Sequence, residues 1–176
     1  MILFFLIPLI LLVIAAVNFI QIRTPRSSSQ LLESVAVVVP MRNEAENVEG
    51  VVATLSAQEG PFHFYLLDDN SEDSTWELLQ RFTAGDSRFT VIQGAPLADG
   101  WIGKTWALQQ LFMASKEEIV VSIDADVRLT NDAINKAITS LRSARLDFLS
   151  PYPRQIAQTF GERLIQPWLQ WSWLTT

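Results

Sequence analysis

Apolar and polar positions follow two rhythms along this chain, after an opening stretch that has none. Residues 1–22, MILFFLIPLILLVIAAVNFIQI, carry no charged side chain. As a helix rising about 1.5 Å per residue they would reach roughly 33 Å, enough to cross a bilayer. The stretch therefore predicts a transmembrane anchor. A cleaved signal peptide fits less well, because no basic segment precedes the run and no small-x-small site closes it. Arg23 and Arg26 follow at once. The positive-inside rule then puts the rest of the chain in the cytoplasm, giving a cell-membrane protein with a single N-terminal span. Residues 23–34, which include RTPRSSSQ, have no hydrophobic period and read as a linker.

Beyond the linker, short apolar or β-branched runs alternate with helical spacing. VAVVV (35–39), FHFYLL (62–67), FTVI (89–92), EIVVSI (118–123) and LDFLS (146–150) predict five strands. Val48, Val51, Val52 and Leu55 repeat at helix spacing, and so do Ile134, Ala137, Ile138 and Leu141, so each set buries one helix face. Asn43 with Glu46 resembles a capping box, and Thr130 with Asp132 suits the start of the later helix. Trp76, Phe82, Leu108, Leu111 and Phe112 fit core faces. Repeated β-α units with nearly all-apolar strands predict an α/β, Rossmann-like domain whose mostly parallel sheet is covered on both sides.

In such sheets ligands bind beyond the carboxyl ends of the strands. The residues with most to offer chemistry fall there: PMRNE after the first strand, DDNS after the second, DAD after the fourth. Asp68 and Asp69 could belong to an ordinary strand-to-helix turn, with residues 70–74 capping the next helix. Two adjacent aspartates exceed what a cap needs, and a carboxylate there could accept hydrogen bonds from a base or a ribose. Asp124 and Asp126 stand two apart on what reads as an extended, buried segment, which would send both side chains to the same side. Convergent carboxylates repel unless a cation joins them, and Mg2+ or Mn2+ suits one or two carboxylates completed by water and phosphate oxygens.

GKT at 103–105 suggests a phosphate loop, but that motif needs glycine at 98, where the chain has Ala98. What remains is a flexible Gly/Pro-containing loop that ends at a helix start, with Lys104 available to a phosphate near the positive end of that helix. The formal net charge of −6 argues against nonspecific nucleic-acid binding, and the absence of cysteine agrees with a reducing compartment. His63, the only histidine, reads as a packed or edge strand residue. Trp168, Trp171 and Trp173 suit either a core or a membrane interface.

Taken in order, VAVVVPMRNEAENVEGVVATLSAQ, YLLDDNSEDST, GKTWALQQL and VVSIDADVRLT resemble glycosyltransferase family 2, inverting nucleotide-sugar enzymes of the GT-A fold. DGWIGKTWAL and SPYPRQIAQTFGERLIQP, behind an N-terminal apolar helix, are similar to the hopanoid-associated and carotenoid glycosyltransferases. The resemblance implies a donor-binding domain over 35–155 in which Pro40, Arg42, Asn43, Glu44, Asp68 and Asp69 hold the nucleoside. It sets Lys104 near the diphosphate and makes Asp124 and Asp126 the D-x-D pair that binds Mg2+ or Mn2+, with Asp124 also touching the donor. It implies a nucleotide-diphosphate sugar, commonly UDP-linked, and a lipid or isoprenoid acceptor beside the membrane.

Family members also carry an acidic catalytic base farther along. Glu162 is the only acid after Asp147; it sits in an amphipathic pattern over 156–176 that reads as a surface or interfacial helix. The expectation is a donor half without a catalytic base, which binds nucleotide sugar and transfers poorly. Two alternatives stand beside it: a noncatalytic nucleotide-binding or scaffold module, and a D-x-D phosphatase. Arg128 disfavours the phosphatase, because it occupies the place where that motif wants Thr or Val.

Overall fold

The computed structural model describes residues 2–21, 31 and 33–174, with side chains for 6–20, 31 and 33–168. Most of the expected linker, Arg23, Arg26 and the side chains of Trp171 and Trp173 lie outside the described residues. The chain divides into two compact units, residues 27–147 and the paired stretches 1–26 and 148–176.

The larger unit is built on four parallel strands: β1 (Val35–Met41), β2 (Phe62–Asp68), β3 (Phe89–Gln93) and β4 (Ile119–Ser122), in the order β3-β2-β1-β4. Four of the five expected strands form. Residues 146–150 do not extend the sheet: Leu146 and Phe148 are exposed, and among the described residues no strand edge pairs with this run. An extended segment without a ladder partner leaves its backbone groups to water and gains nothing from the sheet.

Pleating sorts the central strand between two cores. Val35, Val37, Val39 and Met41 point to one face, with Phe62, Phe64 and Leu66 of β2. Helix α2 (Ala45–Ser56) closes that face with Val48, Val51, Val52 and Leu55, all buried as their spacing predicts. Leu79 of α3 (Thr75–Phe82) and Ile134 and Ile138 of α5 (Ala133–Ser143) complete it. Ala36, Val38, Tyr65 and Leu67 point the other way, against Ala107 and Leu111 of α4 (Gly103–Ala114). Phe112, one position beyond Leu111, is 48% exposed rather than core, because α4 turns Ala107 and Leu111 to the sheet.

β4 is half-buried, in contrast to the buried strand expected, because it is the edge of the sheet. It pairs with β1 only over Val35–Val38. One further bond, from Ile123 N–H to Val38 C=O, closes the ladder, and Pro40 follows on β1. Proline cannot donate to a ladder, so it is tolerated where a strand has lost one neighbour. Beyond Val38 the two strands part.

In the other unit, α1 (Ile2–Gln21) and α6 (Phe160–Leu174) touch one another. Among the described residues no helix is long and apolar enough to cross a membrane; the side chains described for α1 run only from Leu6 to Ile20. α6 opens with a reciprocal cap: the Thr159 hydroxyl accepts the Glu162 N–H, and Glu162 accepts the N–H groups of Gln158 and Thr159. Glu162 thus caps the helix in whose first turn it stands.

Candidate functional site

From β1 the chain steps outward to β2 and β3, then α4 carries it back to place β4 on the other side of β1. The order reverses between β1 and β4, and a crevice opens at the carboxyl ends where the strands part. An open groove of about 320 Å³ occupies it. Pro40 near the end of β1, Arg42 and Glu44 after it, Asp69 after β2, Lys104 at the start of α4, and Asp124 and Asp126 after β4 all line it. Seven of the nine residues singled out in the sequence thus meet in one groove.

The other two do not line it. Asn43 adopts a left-handed backbone with φ of 54°, which asparagine tolerates better than most residues. Its expected capping role with Glu46 does not form: Glu44 takes the N-cap position without a side-chain cap bond. Asn43 joins the loop after β2 instead, accepting the Glu72 N–H at 2.8 Å and donating its own N–H to Ser71 Oγ at 2.9 Å. Asp68 is buried, and its Oδ1 has no hydrogen-bond partner. Of the adjacent aspartates, only Asp69 faces the groove.

The same two loops are stitched at the start of α2. Thr75 Oγ1 accepts the Glu44 N–H at 2.9 Å, and Asp73 Oδ2 accepts the Ala45 N–H at 3.1 Å. The Thr75 hydroxyl donates to Asp73 and, with the backbone N–H groups of Thr75 and Ala45, holds the Asp73 carboxyl below its ordinary value. These partners come from a distant loop, so no local capping pattern announces them.

The D-x-D pair is not on an extended segment. β4 ends at Ser122, and Val127 N–H bonds back to Asp124 C=O at 3.1 Å, making a turn around the buried Ala125. Both aspartates still reach the groove, by turn geometry rather than strand pleat. Lys104 Nζ bonds Asp124 Oδ1 at 2.6 Å, and both side chains are more than half exposed. Lys104 stands at the second position of α4, where first-turn N–H groups have no intrahelical acceptor and the dipole favours anions. The loop before α4, expected to be flexible, is tied to the helix. Trp106 Nε1 donates to Pro96 C=O at 3.0 Å, and Gln110 Oε1 accepts the Ala95 N–H at 2.7 Å.

Two cations, Arg42 and Lys104, face four carboxylates, Glu44, Asp69, Asp124 and Asp126. That surplus of negative charge repels a diphosphate unless a cation enters with it. Hard oxygen donors at Asp124 and Asp126 suit Mg2+ or Mn2+. Among the described residues no group of three or more acidic, His or Cys side chains could hold a metal. A cation held by two carboxylates would leave positions for phosphate and water.

His63 is remote from this groove. It stands exposed at the amino end of β2, its Nδ1 against Glu117 Oε1, to which the Tyr65 hydroxyl also donates.

Comparison with known proteins supplies a context for this geometry. The sequence model described as Glycosyl transferase family 2 matches residues 36–173. A 4,4'-diaponeurosporenoate glycosyltransferase of Staphylococcus haemolyticus is 27% identical over 143 residues, covering 81% of this chain and 34% of the relative. A beta-monoglucosyldiacylglycerol synthase of Trichormus variabilis is 27% identical over 117 residues, covering 62% of this chain and 25% of the relative. The chain thus spans between a quarter and about a third of the length of these relatives. Among solved structures, a mannosyltransferase from Pyrobaculum calidifontis in complex with GDP-Man and Mn2+ superposes with a TM-score of 0.62 at 23% identity, over 75% of this chain and 40% of that one. The glucosyl-3-phosphoglycerate synthase of Mycobacterium tuberculosis in complex with Mn2+, UDP and phosphoglyceric acid gives a TM-score of 0.50 at 22% identity, over 63% and 39%. These likenesses establish the GT-A form of the α/β fold.

Proposed function

This chain belongs to glycosyl transferase family 2, and on that premise we propose that it binds a nucleotide-diphosphate sugar with Mg2+ or Mn2+, for inverting transfer of the sugar to a lipid or isoprenoid acceptor. The observation that carries the reading is the meeting of Pro40, Arg42, Glu44, Asp69, Lys104, Asp124 and Asp126 in one groove at the β1/β4 crevice. Pro40, Arg42 and Glu44 hold the nucleoside. Asp69, which faces the groove where Asp68 does not, accepts from the base or ribose. Asp124 and Asp126 hold the cation, which when bound neutralises the diphosphate leaving group as a Lewis acid. Lys104, whose ammonium pairs with Asp124 in the free protein, would be free to pair with a phosphate oxygen were a cation held on that carboxylate.

Relatives named for glycosylating a diaponeurosporenoate and for making a monoglucosyldiacylglycerol support an apolar acceptor. Helix α1 supports the same reading as a membrane anchor: Leu9, Leu12, Val13, Phe19 and Ile20 are exposed along it, a surface that a bilayer would cover. A single N-terminal span with the donor groove in the cytoplasm is the proposed arrangement. Solved neighbours hold GDP-Man in one case and UDP in another, so both bases belong in the test.

The test is a calorimetric titration of the detergent-solubilised chain with UDP and with GDP, in Mn2+ and in EDTA, beside Asp126→Ala. One nucleotide is expected to bind in Mn2+, with affinity lost in EDTA and in the variant. A folded chain that bound neither nucleotide under any metal condition would overturn the proposal.

A further inference from the structure

Arg128 does not line the groove, yet its guanidinium ties the D-x-D turn to α2. Its Nη1 donates to Ala125 C=O at 2.8 Å and to Val127 C=O at 3.0 Å, and its Nη2 donates to Asn47 Oδ1 at 2.8 Å. Asn47 is on α2, and its Nδ2 donates in turn to Glu44 Oε2 at 2.7 Å. Glu44 lines the groove. A single run of hydrogen bonds therefore leads from the turn between Asp124 and Asp126 to the segment that follows β1.

The path has a built seat. A Cβ at Gly50 would lie 2.5 Å from Arg128 Nε and 2.7 Å from Nη2, so the guanidinium fills the space that any side chain at 50 would claim. The planar, five-donor fork of arginine can serve two carbonyls and an amide oxygen at once; a lysine ammonium presents a point charge that cannot span them. A second tie farther along, from Gln58 Nε2 to Thr130 C=O at 2.9 Å, fixes the same segment to the end of α2. Arg128 is left to set the height of the turn itself.

We propose that Arg128, seated on Gly50 and linked through Asn47 to Glu44, is a positioning residue that holds the Asp124–Asp126 turn in register with the Pro40–Glu44 segment, so that cation and nucleoside are bound in one fixed geometry. The proposal rests on the donor-site reading above. It acts on the cation through the turn, so its loss weakens the metal-dependent part of nucleotide binding and spares the part that needs no metal.

The test compares the unaltered chain with Arg128→Met, Arg128→Lys and Gly50→Ala in two readouts. The first is amide hydrogen exchange at residues 125–127, with β1 amides as the control for folding. The second is the ratio of nucleotide affinity in Mn2+ to that in EDTA, for UDP and GDP. Arg128→Met and Gly50→Ala are expected to speed exchange in the turn while β1 stays protected. They should also cut the Mn2+ enhancement by about tenfold to a hundredfold, the usual effect of removing a group that orients metal ligands. Arg128→Lys should recover part of it. Unchanged exchange and an unchanged Mn2+ ratio in both variants would overturn the positioning role, as would equal losses in Mn2+ and EDTA, which mark a general structural effect. An unaltered chain that gains nothing from Mn2+ fails differently: it sinks the donor-site reading itself.

Discussion

Asp73 serves two loops with one carboxylate. One oxygen accepts from Ala45 at the start of α2, the other from Thr75 at the start of α3. These bonds need the ionised form and hold its pKa below the ordinary 3.8. The resulting stability is fully present above that ordinary value and is lost as pH falls through the lower folded one. Asp73→Ala should therefore lower the thermal unfolding midpoint at neutral pH, and the gap from the unaltered chain should close on acidification below 3.8. A gap that stays constant from pH 7 to pH 3 would show that the carboxylate charge has no part in it. Residue by residue, chemistry was easier to read than placement. Asp124, Asp126 and Lys104 announce themselves by type and by position after a strand or at a helix start. Asn43 and Arg128 do not, because Asn43 bonds to the loop after β2 and Arg128 reaches Asn47 on α2, ties that no local spacing reveals.

Helix α2 shows how far periodicity carries at the scale of an element. Its four apolar positions at 3.6-residue spacing are the four that the fold buries. Leu55 is fully buried in the cluster it shares with Phe62 and Ile138. Leu55→Ala should cost about 2–5 kcal/mol, read from the denaturant midpoint, a large share of the about 5–15 kcal/mol that holds a typical domain folded. A loss under about 1 kcal/mol would mean that the site collapses around the smaller side chain. The apolar run at 146–150 failed as a strand for a reason its composition could not show: a strand needs an edge to join. The D-x-D segment reads as extended because Ala125 continues the apolar pattern of β4, yet the ladder stops at Val38 and the chain turns. Thr159 and Glu162, by contrast, form a capping box whose spacing is present in the sequence.

For the whole molecule, the sequence shows an α/β alternation and an uncharged opening stretch, but not the strand order. That order is decided by which side of β1 accepts β4, a long-range pairing with no local signature. The proposed anchor carries its own prediction. Membranes from cells making the chain should retain it through an alkaline carbonate wash, as an integral protein is retained; release into the wash would overturn the single-span arrangement. The pairing of β4 also bears on how the site comes into being. β1 and β2 are joined through one helix, whereas β4 must find β1 across most of the domain, after the cost of closing that long loop has been met. The edge strand and the turn it carries are therefore expected to be the last part of the sheet to assemble and the first to open. A cation and diphosphate bound there would act as a clasp on the youngest join of the fold, so that donor binding and completion of folding draw on the same free energy.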